Sequence, residues 1–331
     1  MEKSAYKIFS QLAERQSISD YFCVSPLPFS LRHKIGISAD KCPMFFIECS
    51  STKPALDVNL ELISVNFNCK CQLFEDDQQD AKTFENTYTI IQLKSDSIDF
   101  QQYFVEVVAL ALGTLPELPT HSQLKIEIQK LIDLFSRFNK PPKKTVQGLW
   151  AELFIIEQAK YPEYLIRAWH SSPEDKFDFN DGQDKIEVKS TSQSRRIHSF
   201  SAEQLNPNRN AGLIIASMFV INTGIGKSVF DLINMICLKV TNPALQYRLK
   251  EIVGQTVGND FEKISCIYFD FQQAIDTLQF YDFKNIPTIN ISDIPEEVYD
   301  VHFNCDLSNI PTLHCRDISK TDSQLFKSTQ R

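Results

Sequence analysis

The stretch that most restricts the fold is KFDFNDGQDKIEVKST, residues 176–191. Two runs of alternating apolar and polar residues flank NDGQD, a turn sequence. The pattern specifies a β-hairpin with strands at about 176–180 and 185–191. Side chains alternate along a strand, so Ile186 and Val188 face one side and Glu187 and Lys189 the other. Ile186 and Val188 suit a core. The opposite face carries an acid and a base, which on an exposed sheet amounts to a solvated polar surface. Phe177 and Phe179 likewise share one face and leave Asp178 on the other. A hairpin this short brings Asp178 near Glu187 and Lys189.

A third carboxylate lies upstream. QGLWAELFIIEQAKY (147–161) reads as a helix in which Leu149, Leu153 and Ile156 form one stripe. Glu152 sits at the edge of that stripe, and a carboxylate there must snorkel, pair or function.

The ordered set of a helical glutamate (Glu152), a strand aspartate (Asp178) and the strand motif Glu187-Val188-Lys189 resembles the PD-(D/E)XK nuclease superfamily. GLWAEL, the Trp169 region, FDF, IEVKSTS, the Arg196/His198 segment and SAEQL (201–205) together resemble one prokaryotic family of PD-(D/E)XK members found near restriction and phage-defence genes. The motifs span roughly residues 146–205. Two departures are Ala151, where a small residue is expected, and Phe177, where the superfamily's name has proline. The resemblance implies a restriction-endonuclease-like core, a mixed sheet flanked by helices, and hydrolysis of phosphodiester bonds, with DNA as the substrate. It implies that Asp178 and Glu187 hold Mg²⁺ or Mn²⁺ with the backbone carbonyl of Val188. Glu152 then binds directly, through water, or at a second ion. Mg²⁺ favours such hard oxygen ligands. Lys189 orients or deprotonates the nucleophile, or stabilises developing charge, and Gln204 positions water or phosphate. Arg195, Arg196, His198 and Arg209 follow closely and are candidate phosphate contacts.

The rest of the chain divides around this set. Residues 3–16 read as a helix, about 43–94 as strands, and 98–113 and 122–138 as helices. This gives an N-terminal α+β domain over 1–138. NKPPKKT (139–145) breaks the pattern and serves as a linker. The nuclease-like domain follows over 146–315, with a loose polar tail over 316–331. Within it, 164–169, 213–222, 227–233 and 263–271 read as strands and 243–256 as a helix. The fold class is therefore α/β.

Composition narrows the setting. A formal charge of −8 argues against broad charge-driven nucleic-acid binding. It fits an enzyme that needs a metal, a partner or a particular site to hold a polyanion. Nine cysteines, an odd count in a 331-residue chain, do not form a secreted disulfide framework. A reducing, cytoplasmic compartment is expected, with no membrane association. A homodimer and other defence-system proteins are expected partners, since one site cuts one strand. The alternative is a non-catalytic subunit that binds DNA or protein through residues 1–138.

Two motifs mislead. TGIGKS (223–228) suggests a phosphate loop, but the required first glycine is Ile221 and the segment reads as a hairpin turn. Cys42, Cys49, Cys69 and Cys71 have no zinc-knuckle spacing and read as small core residues.

Overall fold

The computed structural model describes residues 4–14, 22–51, 53, 55–77, 80–142, 144–170, 175–207 and 211–329. Two compact units are present: residues 1–141 with 258–262, and 142–257 with 263–331. The division falls within the NKPPKKT linker, but the first unit also recovers a short downstream segment.

The first unit contains α1 (Ala5–Ala13), β1 (Phe22–Leu27), β2 (Ser30–Ile37), β3 (Pro43–Ile47), β4 (Val58–Asn59), β5 (Ile63–Asp77), β6 (Asp80–Leu93), α2 (Ile98–Leu112) and α3 (His121–Arg137). Its six strands run in the order β1-β2-β3-β6-β5-β4, and a further parallel β1–β5 pairing returns the sheet on itself. Strands followed by helices is the order expected from sequence. Aromatic side chains fill the core: Phe45 lies edge-on to Phe104, and Phe100, Tyr103 and Phe138 surround Phe261. Phe261 is the reason the chain returns here: its ring completes the cluster.

The second unit contains α4 (Val146–Gln158), α5 (Pro162–Ala168), β7 (Phe179–Asn180), β8 (Lys185–Thr191), β9 (Ile197–Ser201), β10 (Leu213–Phe219), β11 (Asn222–Lys227), α6 (Val229–Lys239) and α7 (Pro243–Val257). After α8 (Phe261–Ile264), which begins at the end of the returning segment, come α9 (Phe271–Thr277), β12 (Gln279–Asp282), β13 (His302–Asp306), α10 (Cys315–Lys320) and α11 (Gln324–Ser328). A four-stranded mixed sheet has the order β12-β10-β8-β7, with β8 and β10 parallel and the outer pairs antiparallel. A parallel pair requires a crossover, and β9 with its following loop supplies it. β9 pairs separately with β13. The α/β class holds for this arrangement.

The 176–191 hairpin forms with a shorter first arm than its alternation suggests. Gly182 takes φ +96°, a turn conformation that favours glycine. Asp181 Oδ1 accepts from the amides of Gln183 and Asp184.

Four expectations are corrected. Residues 164–169 lie largely in α5, because Pro162 and Glu163 occupy a first helical turn. Residues 229–233 open α6, because Ser228 and Asp231 form a capping box. A helix therefore does follow TGIGKS, although the segment itself is strand β11 and Ser228 is its cap. Residues 263–271 form no strand beyond bridges from Phe269 to Asn222 and Lys227. The tail is ordered into α10 and α11, with Leu325 and Phe326 buried.

Candidate metal centre and active site

Glu152 is delivered by α4, whose start is fixed by Thr145, its side chain accepting from the Gly148 amide at 3.1 Å. The helix is apolar on nearly every side: Leu149, Trp150, Leu153, Phe154 and Ile156 are all buried. Glu152 is thus carried into the interior, where its carboxylate must find donors. It finds three. Lys144 Nζ donates to Oε1 at 2.6 Å, Trp169 Nε1 donates to Oε2 at 2.7 Å, and His170 Nε2 lies 3.0 Å from Oε2.

Asp178 precedes β7. Its backbone is tied to the end of α5, since the His170 amide donates to the Asp178 carbonyl at 2.9 Å. That bond places the His170 ring and the Asp178 carboxylate side by side. Asp178 Oδ1 accepts from Lys144 Nζ at 2.6 Å. Its Oδ2 accepts from the Val188 amide at 2.8 Å, joining the aspartate to the centre of Glu187-Val188-Lys189. Val188 therefore meets this carboxylate through its N–H.

Glu187 and Lys189 lie on β8 with Lys189 Nζ 2.9 Å from Glu187 Oε1. Gln204, just beyond β9, donates from Nε2 to the same oxygen at 2.7 Å. Its Oε1 accepts from the Ser201 amide at 3.1 Å, which fixes the amide orientation. Lys189 Nζ also stands 5.0 Å from the centre of the Phe200 ring. Glu187 Oε2 is buried and has no hydrogen-bond partner among the described residues.

The electrostatics follow from burial. Loss of water pushes the Glu187 carboxyl up to about 7, reinforced by the neighbouring Asp178 charge and opposed by Lys189. Glu152 is raised for the same first reason, with Asp178 again adding to it. Burial also acts upward on Asp178, but the Lys144 ammonium and the Val188 amide hold it below the usual carboxylate range. Lys144 is raised despite its burial, because Asp178 and Glu152 both flank it.

Sequence reasoning named Glu152, Asp178, Glu187, Lys189 and Gln204, and the fold brings all five into one cluster. It missed Lys144 and His170, and named the Trp169 region without giving that side chain a role in the site. Lys144 reads as one more linker lysine, and His170 follows a segment that looks like a strand. Neither position carries a local signal; only tertiary placement reveals them. Among the described residues, Glu152, His170 and Asp178 are the group with ligand atoms within 4.8 Å of one another. No cysteine among the described residues joins such a group, and Cys42 instead contacts the Ser95 carbonyl through Sγ.

The basic candidates separate. Arg196 is buried and is not a phosphate contact: its guanidinium donates to the Ser217 carbonyl and hydroxyl, both at 2.9 Å, and to the Thr277 carbonyl. His198 is also buried, with Nε2 2.8 Å from Ser217 Oγ. Their polar atoms are committed to the interior, which corrects the sequence expectation for both. Arg195 is exposed and paired with Asp306. Arg209 lies outside the described residues. No helix among the described residues is long and apolar enough to cross a membrane.

The cluster is a buried acidic and imidazole site with the donor chemistry to take a divalent cation. Residues 7–308 match the family model described as "Putative PD-(D/E)XK family member, (DUF4420)". No curated protein and no solved structure matches the chain. The family match takes in every residue of the cluster, and by it the chain belongs to this PD-(D/E)XK family.

Proposed function

We propose that the chain is a divalent-metal-dependent nuclease that hydrolyses phosphodiester bonds of DNA, in a restriction or phage-defence setting. The observation that carries this reading is Glu187 Oε2, a buried carboxylate oxygen without a partner among the described residues, in a cluster of three carboxylates and Lys189. An ionised carboxylate taken out of water needs a compensating charge. A cation at that oxygen supplies it, so the donor set fits the metal that the family implies. Asp178 and Glu187 would hold Mg²⁺ or Mn²⁺, with Glu152 behind them, in a restriction-endonuclease-like core. When bound, such an ion polarises a phosphoryl oxygen and lowers the pKa of bound water.

The protein groups do the rest. Lys189, held by Glu187 and by the Phe200 ring, presents an ammonium where negative charge develops on the phosphate. Gln204 ties Glu187 to the Ser201 turn and keeps the carboxylate from rotating away. Trp169 and His170 fix Glu152. Each cluster cuts one strand, so a homodimer fits double-strand cleavage.

One observation favours the alternative, a non-catalytic subunit that binds DNA or another defence protein. The Lys144 ammonium already pairs with both Glu152 and Asp178. Incubation of plasmid with the parent, Asp178→Ala and Lys189→Ala in Mg²⁺ or Mn²⁺ separates the two. Cleavage by the parent, reduced at least ~100-fold in each variant, is expected. Equal cleavage by all three rejects the assigned site. A parent that retains DNA in a gel shift but never cuts it is a binding subunit.

A further inference from the structure

The three carboxylates are not equally available. Both oxygens of Glu152 are engaged, Oε1 by Lys144 and Oε2 by Trp169 and His170. Asp178 has one donor on each oxygen. Glu187 Oε2 has none among the described residues. The trio with the closest ligand atoms, Glu152, His170 and Asp178, is therefore the one already occupied by protein donors. What occupies it carries positive charge. Lys144 Nζ sits 2.6 Å from Glu152 Oε1 and 2.6 Å from Asp178 Oδ1, bridging two buried carboxylates as a second divalent ion would. The lysine enters from outside: its side chain is 30% exposed, against 3% and 10% for the two acids. The Thr145 cap of α4 begins one residue later and fixes the point of entry.

We infer that Lys144 is the resident second cation of this centre: the chain takes one divalent ion, on Glu187 and Asp178, and the Lys144 ammonium fills the other position. This rests on the metal-dependent reading above. Lys144 is a positioning residue, since it sets the spacing of Glu152 and Asp178 before any ion arrives. A second dication there would have to displace the Lys144 ammonium or sit beside its like charge.

The test is a Mn²⁺ titration of the full chain, followed by electron paramagnetic resonance of the free ion and by thermal unfolding. The parent should bind one Mn²⁺ per chain and Lys144→Met two. Glu187→Gln should weaken the parent's ion at least ~10-fold. Lys144→Met leaves Glu152 and Asp178 without their counterion, so its melting temperature should fall without metal and recover with Mn²⁺ by more than the parent gains. Lys144→Gln, which keeps a donor, serves the same comparison should the methionine variant fold poorly. Two ions in the parent, or one ion and no added thermal response in both lysine variants, overturn the inference and leave the nuclease reading standing. Absence of bound Mn²⁺ in parent and variants alike removes the metal-dependent reading itself, and this inference with it.

Discussion

His198 and Arg196 show how a single residue can look functional in sequence and be structural in the fold. Both converge on Ser217, whose position on β10 is paired in register with Lys189 on β8. Burial first, then the positive charges of Lys189 and Arg196, push the His198 imidazole down to about 4. Its ordinary value is 6.5. Between those two values the unfolded chain binds a proton that the folded chain refuses. The stabilisation is therefore complete above pH 6.5 and is lost as the pH falls toward 4. The loss should be about 2–3 kcal/mol, at roughly 1.4 kcal/mol per pH unit. Denaturant midpoints measured across that range for the parent and His198→Gln check it. The glutamine variant should show the shallower acid decline by about that amount. Parallel declines would mean that the imidazole already accepts a proton in the fold.

At the scale of elements, β11 shows a packing reason for a glycine in TGIGKS. Gly226 adopts φ +129°, and a Cβ there would lie 2.2 Å from the Phe269 carbonyl oxygen. The glycine exists so that the backbone of residue 269 can approach strand β11 on its way into α9. Gly226→Ala should therefore cost about 2–4 kcal/mol, from backbone strain and the forced displacement of Phe269. Neither the parent nor the variant is expected to bind nucleotide. Urea unfolding of the two proteins measures the first, and a nucleotide titration the second. The elements that were legible share a property with the hairpin: their pattern and their end signals agree. Alternation plus Asp181-Gly182 gives β7–β8, and the apolar stripe of 147–161 gives α4. Residues 227–233 failed because Val229-Phe230, a β-branched and aromatic pair, masks the capping box that Ser228 and Asp231 form around it. Residues 164–169 failed because a short apolar and aromatic run does not by itself tell strand from helix, and Pro162 marks a helical first turn. The cluster was legible where chemistry and local period coincide, at Glu152, Asp178 and Glu187-Val188-Lys189. Lys144 and His170 were not, since each is brought in by a loop whose course depends on distant packing.

For the second unit as a whole, the tail determines how firmly the centre is held. α11 packs on α5, and the Ser328 carbonyl accepts from the Lys160 amide at 2.9 Å and the Tyr161 amide at 3.4 Å, where α5 begins. Leu325 is fully buried and Phe326 nearly so. Phe326 also lies against Gly212, where a Cβ would meet its ring at 3.0 Å. Burying two such side chains contributes roughly 1.5–3 kcal/mol each. The connection to the centre runs through α5. Its far end carries Trp169 and His170, the two donors to Glu152 Oε2. Removal of residues 316–331 should therefore do more than shorten the chain. It should destabilise the unit by about 3–6 kcal/mol and free α5 to shift at its start. With Trp169 and His170 less firmly placed, Glu152 loses donors while still buried, so the site should weaken before the sheet unfolds. Hydrogen exchange across 160–170, compared with exchange in β8 and β10, distinguishes that order from global unfolding. Faster exchange confined to 160–170 in the truncated chain is the expected result. Protection unchanged from the parent would mean that α5 is held by α4 and α7 alone and that the tail is dispensable to the centre.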